Sequence, residues 1–376
     1  MMRRYDIDAL RVIVFGLLIL YHVGMFFVPW DFHIKNPVTY QWLAYPMAFI
    51  NQWRLPLLFV ISGMGTFFNI SKRSGWKFAG ERFVRLFIPL VVGMLIIVPP
   101  QIYFERLDTG QFSGNYFEFW PSMAFIGTYP EGNLSWHHLW FLPYLWLFSS
   151  VLIPAFLYLL KHPQAWIIRK MKRLAASKFG LFVLAIPLVF WEIFLRPHFP
   201  STHGLIDDWY NIINYSTLFF YGFLLMTLKD TLWENVIKNR RLFLITGIIT
   251  FSFALLMAVW FGLERFSEAQ IVSGFVLAIN EWAWILVMIG YAATYLNKQS
   301  RKLSYANEAV YPFYILHQTV MIALCYYLKN VEMYLFVKFS IMVIGTFGIS
   351  WLIYEFGIRR YAWIRPLFGM KNVKKA

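Results

Sequence analysis

The sequence predicts an all-α integral membrane protein of about ten transmembrane helices, with both termini in the cytoplasm. Three observations lead there. Hydrophobic residues make up 59% of the chain and aromatic ones 21%, but charged ones only 14%, against roughly 25% charged in soluble domains. Ten apolar stretches each approach the ~20 residues that a bilayer requires. Lys and Arg then alternate between the connecting segments. With the N-terminus inside, 25 of the 34 fall on cytoplasmic segments and five on outer ones: Lys35, Arg106, Arg196, Arg265 and Lys329. That is the bias of the positive-inside rule.

In chain order the stretches are about 9–28, 46–69, 83–103, 138–160, 179–195, 209–228, 242–262, 270–296, 309–328 and 333–356, one polytopic domain over 1–376. The fifth is the shortest and contains Pro187. Phe26-Phe27-Val28-Pro29-Trp30 follows the first, with no small-residue cleavage pattern, so that stretch is expected to be retained. The net charge of +15 reflects topology and anionic lipid and calls for no nucleic acid. The single cysteine, Cys325, lies in an apolar stretch and excludes an intramolecular disulfide or a cysteine zinc cluster. The longest connections, 29–45 and 104–137, face outward.

Within the first stretch, Arg11 and His22 are 11 residues apart. On a helix that separation returns to within about 20° of the same azimuth, roughly 16 Å further along the axis. One face therefore carries an arginine near the membrane surface and a histidine deep in the layer, where an ionisable group costs on the order of 3 kcal/mol. The structural alternative is that Arg11 snorkels and His22 bonds a neighbouring helix. Arg54, in the second stretch, is expected about 12 Å below the outer surface and His22 about 9 Å below it. Asn51 and Gln52 lie close by, and Pro56 frees a carbonyl one turn away. Arg82 and Arg85 open the third stretch as i,i+3 neighbours at the membrane face of Arg11. Guanidinium forks suit phosphate; ordinary lipid-facing flanks are the alternative. Trp136-His137-His138-Leu139-Trp140 leads into the fourth stretch. Adjacent histidines leave a helix on different sides, so no metal is expected, and the aromatics suit an interfacial belt or stacking on a sugar. His317 lies some 12 Å into the ninth stretch.

Asp8-Ala9-Leu10-Arg11 with His22, together with Arg82-x-x-Arg85 before Pro89, resembles the acyltransferase 3 family of membrane acyltransferases. Phe59-Val60-Ile61-Ser62-Gly63, His138-Leu139-Trp140-Phe141-Leu142, Tyr314 to His317 and Tyr354-Glu355 resemble its glucan-succinylating branch. The resemblance covers nearly the whole chain. It implies about ten helices, a cytoplasmic acyl-CoA donor such as acetyl-CoA or succinyl-CoA, and a carbohydrate acceptor outside. It also implies a catalytic first-helix histidine, here His22, and donor-binding arginines, here Arg11, Arg82 and Arg85.

On that footing a neutral His22 suits a general base and Arg54 an oxyanion partner. Asn51, Trp136, His138, Trp140 and His317 are candidate acceptor-binding residues. No bound cofactor, metal or nucleic acid is expected. The expected surroundings are the lipid bilayer of a bacterial inner membrane, and a homo-oligomer is compatible with this. The competing class is a transporter or flippase for a glycan or lipid-linked sugar; it would be supported by inverted repeats, and none is evident.

Overall fold

The computed structural model describes residues 3–261 and 269–371. Among these there is no β-strand, only an isolated bridge between Thr128 and Leu134. The principal helices are α1 (Tyr5–Met25), α2 (Ala44–Ile70), α3 (Gly75–Asp108), α4 (Tyr116–Ser122), α5 (Phe141–Val151), α6 (Ile153–Lys161), α7 (Trp166–Ala176), α8 (Ala185–Phe194), α9 (Trp209–Thr227), α10 (Asp230–Phe261), α11 (Gln270–Tyr295), α12 (Arg301–Leu328) and α13 (Leu335–Ile358).

Each apolar stretch of the sequence lies largely on helix among the described residues, and the chain is an integral membrane protein. Among the described residues, seven helices are long and apolar enough to cross a bilayer: α1, α2 with its lead-in from Gln41, α3, α10, α11, α12 and α13. His137–Val151 and Ile153–Lys161 make an eighth if the pair, bent by 49°, is taken as one span. Pro154 at the start of α6 lacks the N–H that a continuous helix would use there. Gly180–Phe194 is apolar but short, and α9, with Asn211 and Asn214 buried along it, stands outside the set. Arg265, Lys374, Lys375 and the last residue of the stretch 242–262 lie outside the described residues. Ile245, Ile249 and Leu256 of α10 and Phe336 and Ile344 of α13 are exposed, as helix faces bathed in lipid are.

Wide π-type turns interrupt α3 at Phe83–Phe87 and Gly93–Ile97 and α13 at Ile353–Ile358. Such insertions re-aim side chains and recur at functional sites. The first of them carries Arg85.

The chain divides into two compact units. The first comprises Met1–Val14, Asn51–Gly80 and Leu147–Leu303. Within it α10 packs along α11, and α2 crosses α9 with backbone against backbone. A Cβ added at Gly63 would lie 2.0 Å from the Phe219 carbonyl oxygen, and one at Gly222 would lie 2.0 Å from that of Val60. Small residues at such a crossing let two membrane helices approach closely. The Phe59 and Tyr215 rings stack beside it at 4.5 Å.

The second unit comprises Phe15–Ile50, Glu81–Trp146 and Ser304–Ala376. Its core includes Val23, Phe26, Phe27, Ile34, Met321, Ile322, Cys325 and Met342. The connection after α1 is tied down rather than loose. Lys35 Nζ donates to the carbonyls of Met25 and Val28, closing the helix end. The Asn36 N–H donates to the Phe26 carbonyl at 3.0 Å, and Lys338 Nζ donates to Asn36 Oδ1 at 2.8 Å. Burial lowers the Lys35 pKa, against the opposing pull of Asp31. His33 thus sits on a fixed segment.

Candidate functional site

Three histidines converge in the second unit. His22 is half-buried on α1, His317 is fully buried on α12, and His138 is buried in the turn His137–Trp140 that leads into α5. His22 Nδ1 and His317 Nε2 are 2.8 Å apart, and the His138 ring stands edge-on to His317 at 5.2 Å.

The hydrogen bonds fix the tautomers. His317 Nδ1 faces two acceptors, the carbonyls of Phe313 at 3.1 Å and Tyr314 at 2.7 Å, so Nδ1 carries the proton and Nε2 the lone pair. His22 must then donate from Nδ1, which leaves the lone pair of His22 on Nε2. A backbone carbonyl, His317 and His22 stand in series and orient a basic nitrogen, as the third group of a triad orients its base. His138 Nε2 likewise faces the Ile315 carbonyl at 3.0 Å, while Tyr314 Oη donates to the His138 carbonyl at 2.5 Å.

Polar side chains continue from this cluster. Gln101 Nε2 donates to Thr319 Oγ1 at 2.7 Å and lies 3.4 Å from His138 Nδ1. Gln318 Nε2 donates to Gln101 Oε1 at 3.3 Å and approaches His33 Nε2 at 3.3 Å. His33 Nδ1 meets Glu105 Oε2 at 2.5 Å and its ring stacks on His137 at 4.7 Å. Tyr129 Oη lies 3.4 Å from Glu105 Oε2. Burial first, and then the Glu105 carboxylate, push the Tyr129 pKa up to about 12, so the phenol stays a donor. Arg106 pins the connection between α3 and α5, donating to Asn133 Oδ1 at 2.9 Å and to the carbonyls of Pro130 at 2.7 Å and Gly132 at 2.9 Å. Thus His137 and His138, neighbours in sequence, face different partners.

Arg82 and Arg85 are half-buried in the same unit. Arg85 Nε donates to the Gly369 carbonyl at 3.4 Å, its own carbonyl accepts from Tyr311 Oη at 3.0 Å, and Glu81 is 3.9 Å from its guanidinium. Gly369, in the left-handed region at φ +66°, fits tightly there: an added Cβ would lie 2.1 Å from the Tyr311 ring. Arg11 and Arg54 belong to the first unit. Arg11 pairs with Asp8 at 3.1 Å, one turn earlier on α1, which gives the Asp-Ala-Leu-Arg motif a physical content. Arg54 is 2% exposed. Asn51 is exposed, and it is Gln52 beside it that is engaged, accepting from Asn280. Trp136 and Trp140 are half-buried, with Trp140 edge-on to Tyr144 at 5.2 Å.

Sequence reasoning singled out His22, His138 and His317 without joining them, and it missed Gln101, Thr319, Gln318, His33 and Glu105. Two signals were available: Gln101 follows Pro99-Pro100 inside an apolar stretch, and Gln318 adjoins His317.

The profile of the acyltransferase 3 family, described as an acyltransferase domain, matches residues 4–355. Glucans biosynthesis protein C of Salmonella schwarzengrund (strain CVM19633) is 23% identical over 95% of this chain and 92% of its own length. The proteins of the same name from Escherichia coli O1:K1 / APEC and from Escherichia coli strain K12 / DH10B are each 22% identical over 99% of this chain and 96% of their own length. No solved structure matches.

Proposed function

The chain belongs to the acyltransferase 3 family and is an acyltransferase, and from that premise we propose that it moves an acetyl or succinyl group from an acyl-CoA on the cytoplasmic side to a hydroxyl of a glycan on the outer side of a bacterial inner membrane. The observation that carries the reading is the series of backbone carbonyl, His317 and His22. It presents His22 Nε2 with its lone pair, the form a general base needs.

In this mechanism the acceptor hydroxyl attacks the thioester carbonyl as His22 Nε2 takes its proton. The tetrahedral adduct then expels the CoA thiolate, and the imidazolium returns the proton to sulfur. The products are an O-acyl ester and free CoA. His317 holds the ring and stabilises its charged form, since its Nε2 accepts from Nδ1–H throughout. Arg82 and Arg85 bind the phosphates of the donor, which guanidinium groups grip by two parallel hydrogen bonds. His138, Trp136 and Trp140 line the acceptor side.

The test is transfer of labelled acyl groups from acetyl-CoA and succinyl-CoA to glucan oligosaccharides by purified protein in vesicles. Wild type is expected to acylate, and His22→Ala to lose about 10²–10⁴-fold in turnover, the usual share of general-base catalysis. Substrate passage across the vesicle without acyl transfer from any thioester would replace this reading with a transporter.

A further inference from the structure

We propose that His33, Glu105 and His137 form a binding site for one divalent transition-metal ion, with zinc as the best-matched class. The site is independent of the acyl-transfer reading. It joins three segments of the second unit: the anchored connection after α1, the last turns of α3, and the turn that opens α5.

Four observations carry it. One ligand atom from each residue lies within 4.8 Å of the others, so small side-chain adjustments bring all three onto one ion. His137 Nε2 is buried and has no hydrogen-bond partner, although leaving a buried polar nitrogen unmatched is costly. The His137 backbone is held at φ +41°, a left-handed conformation that strains a residue with a side chain and clusters at active sites and ligand clamps. Finally, the surroundings can orient both rings, as groups behind metal-binding histidines do.

Ser135 Oγ lies 2.7 Å from His137 Nδ1. As acceptor of Nδ1–H it leaves the lone pair on Nε2, the nitrogen with no other partner. For His33, Nδ1 is the nitrogen beside Glu105, so metal binding there moves the ring proton to Nε2. Nε2 lies 3.3 Å from the Gln318 amide nitrogen, and Gln318 Oε1 is itself buried without a partner. Turning the amide over lets Oε1 accept from His33 Nε2–H, in exchange for the hydrogen bond that Gln318 Nε2 donates to Gln101 Oε1. Arg106 is the adjacent cation, 3.9 Å from Glu105 Oε1. Its guanidinium is held by Asn133, Gln111, Pro130 and Gly132, and Oε2 is the oxygen that faces His33.

Two imidazoles and one carboxylate form a ligand set of zinc sites that keep a fourth position open for water or a substrate oxygen. The nitrogen donors favour zinc, nickel and copper over magnesium and calcium.

The experiment uses full-length protein with no polyhistidine tag, purified in detergent, stripped with chelator and titrated with Zn²⁺. Bound metal is counted after gel filtration, and cobalt substitution is read by its visible bands. Wild type is expected to hold one zinc per chain, to show four-coordinate cobalt bands, and to gain thermal stability with zinc but not with magnesium. Glu105→Gln and His137→Gln should each weaken zinc at least tenfold and lose the cobalt bands. His198→Gln, at an exposed position, should keep both. Should Glu105→Gln aggregate, His137→Gln decides alone, because it leaves the His33–Glu105 pair intact. A wild type without stoichiometric zinc at micromolar metal, or a His33→Gln/His137→Gln variant with wild-type zinc affinity, would overturn the proposal.

Discussion

His22 Nδ1 stands 2.8 Å from His317 Nε2, with the two rings within 8° of parallel. The residues are 295 positions apart, one on α1 and the other on α12. Because the Phe313 and Tyr314 carbonyls fix the His317 tautomer, the pair has a direction, and the proton between them belongs to His22.

His317→Leu removes the acceptor of His22 Nδ1–H and is expected to lower kcat by about 10²-fold, within the range of a lost general base, with little change in donor KM. His317→Gln should retain more activity than His317→Leu, because an amide oxygen still accepts from Nδ1–H. Steady-state kinetics against pH on reconstituted protein checks both. Equal activity of the two variants would show that His317 packs against His22 without orienting it.

Arg85 is held between Gly369 and Tyr311 in a wide turn of α3. Arg85→Ala is expected to raise donor KM about tenfold or more while kcat falls less. Arg85→Lys should recover only part of the loss, since a point charge cannot form two parallel hydrogen bonds. Tyr311→Phe, which removes the hydroxyl from the Arg85 carbonyl, should raise donor KM in the same direction by a smaller factor. Donor titration followed by product formation reads all three, and an unchanged KM in Arg82→Ala/Arg85→Ala would return these arginines to lipid contact.

Gly63→Leu places a side chain where the Phe219 carbonyl stands 2.0 Å from an added Cβ. Backbone cannot move aside as a side-chain tip can, so overpacking should destabilise by about 1–3 kcal/mol or more. A lowered apparent Tm in detergent, with a loss of monodisperse protein, is the expected result. Gly348→Ala, with nothing within 4 Å of the added Cβ, should leave Tm unchanged or raise it, as helix propensity favours Ala over Gly by about 1 kcal/mol.

The sequence by itself determined the class of this protein. Apolar stretches of bilayer length can satisfy their backbone in lipid only as helix, so α1, α2, α10, α11, α12 and α13 are legible from hydropathy, and the Asp8–Arg11 pair from helical spacing. Helical periodicity equally fixed that Arg11 and His22 share α1. It could not reach further, because period and hydropathy describe one helix at a time. Which helices meet is decided where a Gly63 or Gly222 lets two backbones touch, and that depends on the surfaces of both partners. The site is of this second kind. His22, His138 and His317 come from three separate segments, and the tautomer of His317 hangs on the Phe313 and Tyr314 carbonyls one turn back on its own helix. Likewise His33, Glu105 and His137 read as two loop histidines and a flanking acid. Only the anchoring of Lys35, Asn36 and Arg106 brings them together, since a connection acquires a position solely through the buried groups that hold it.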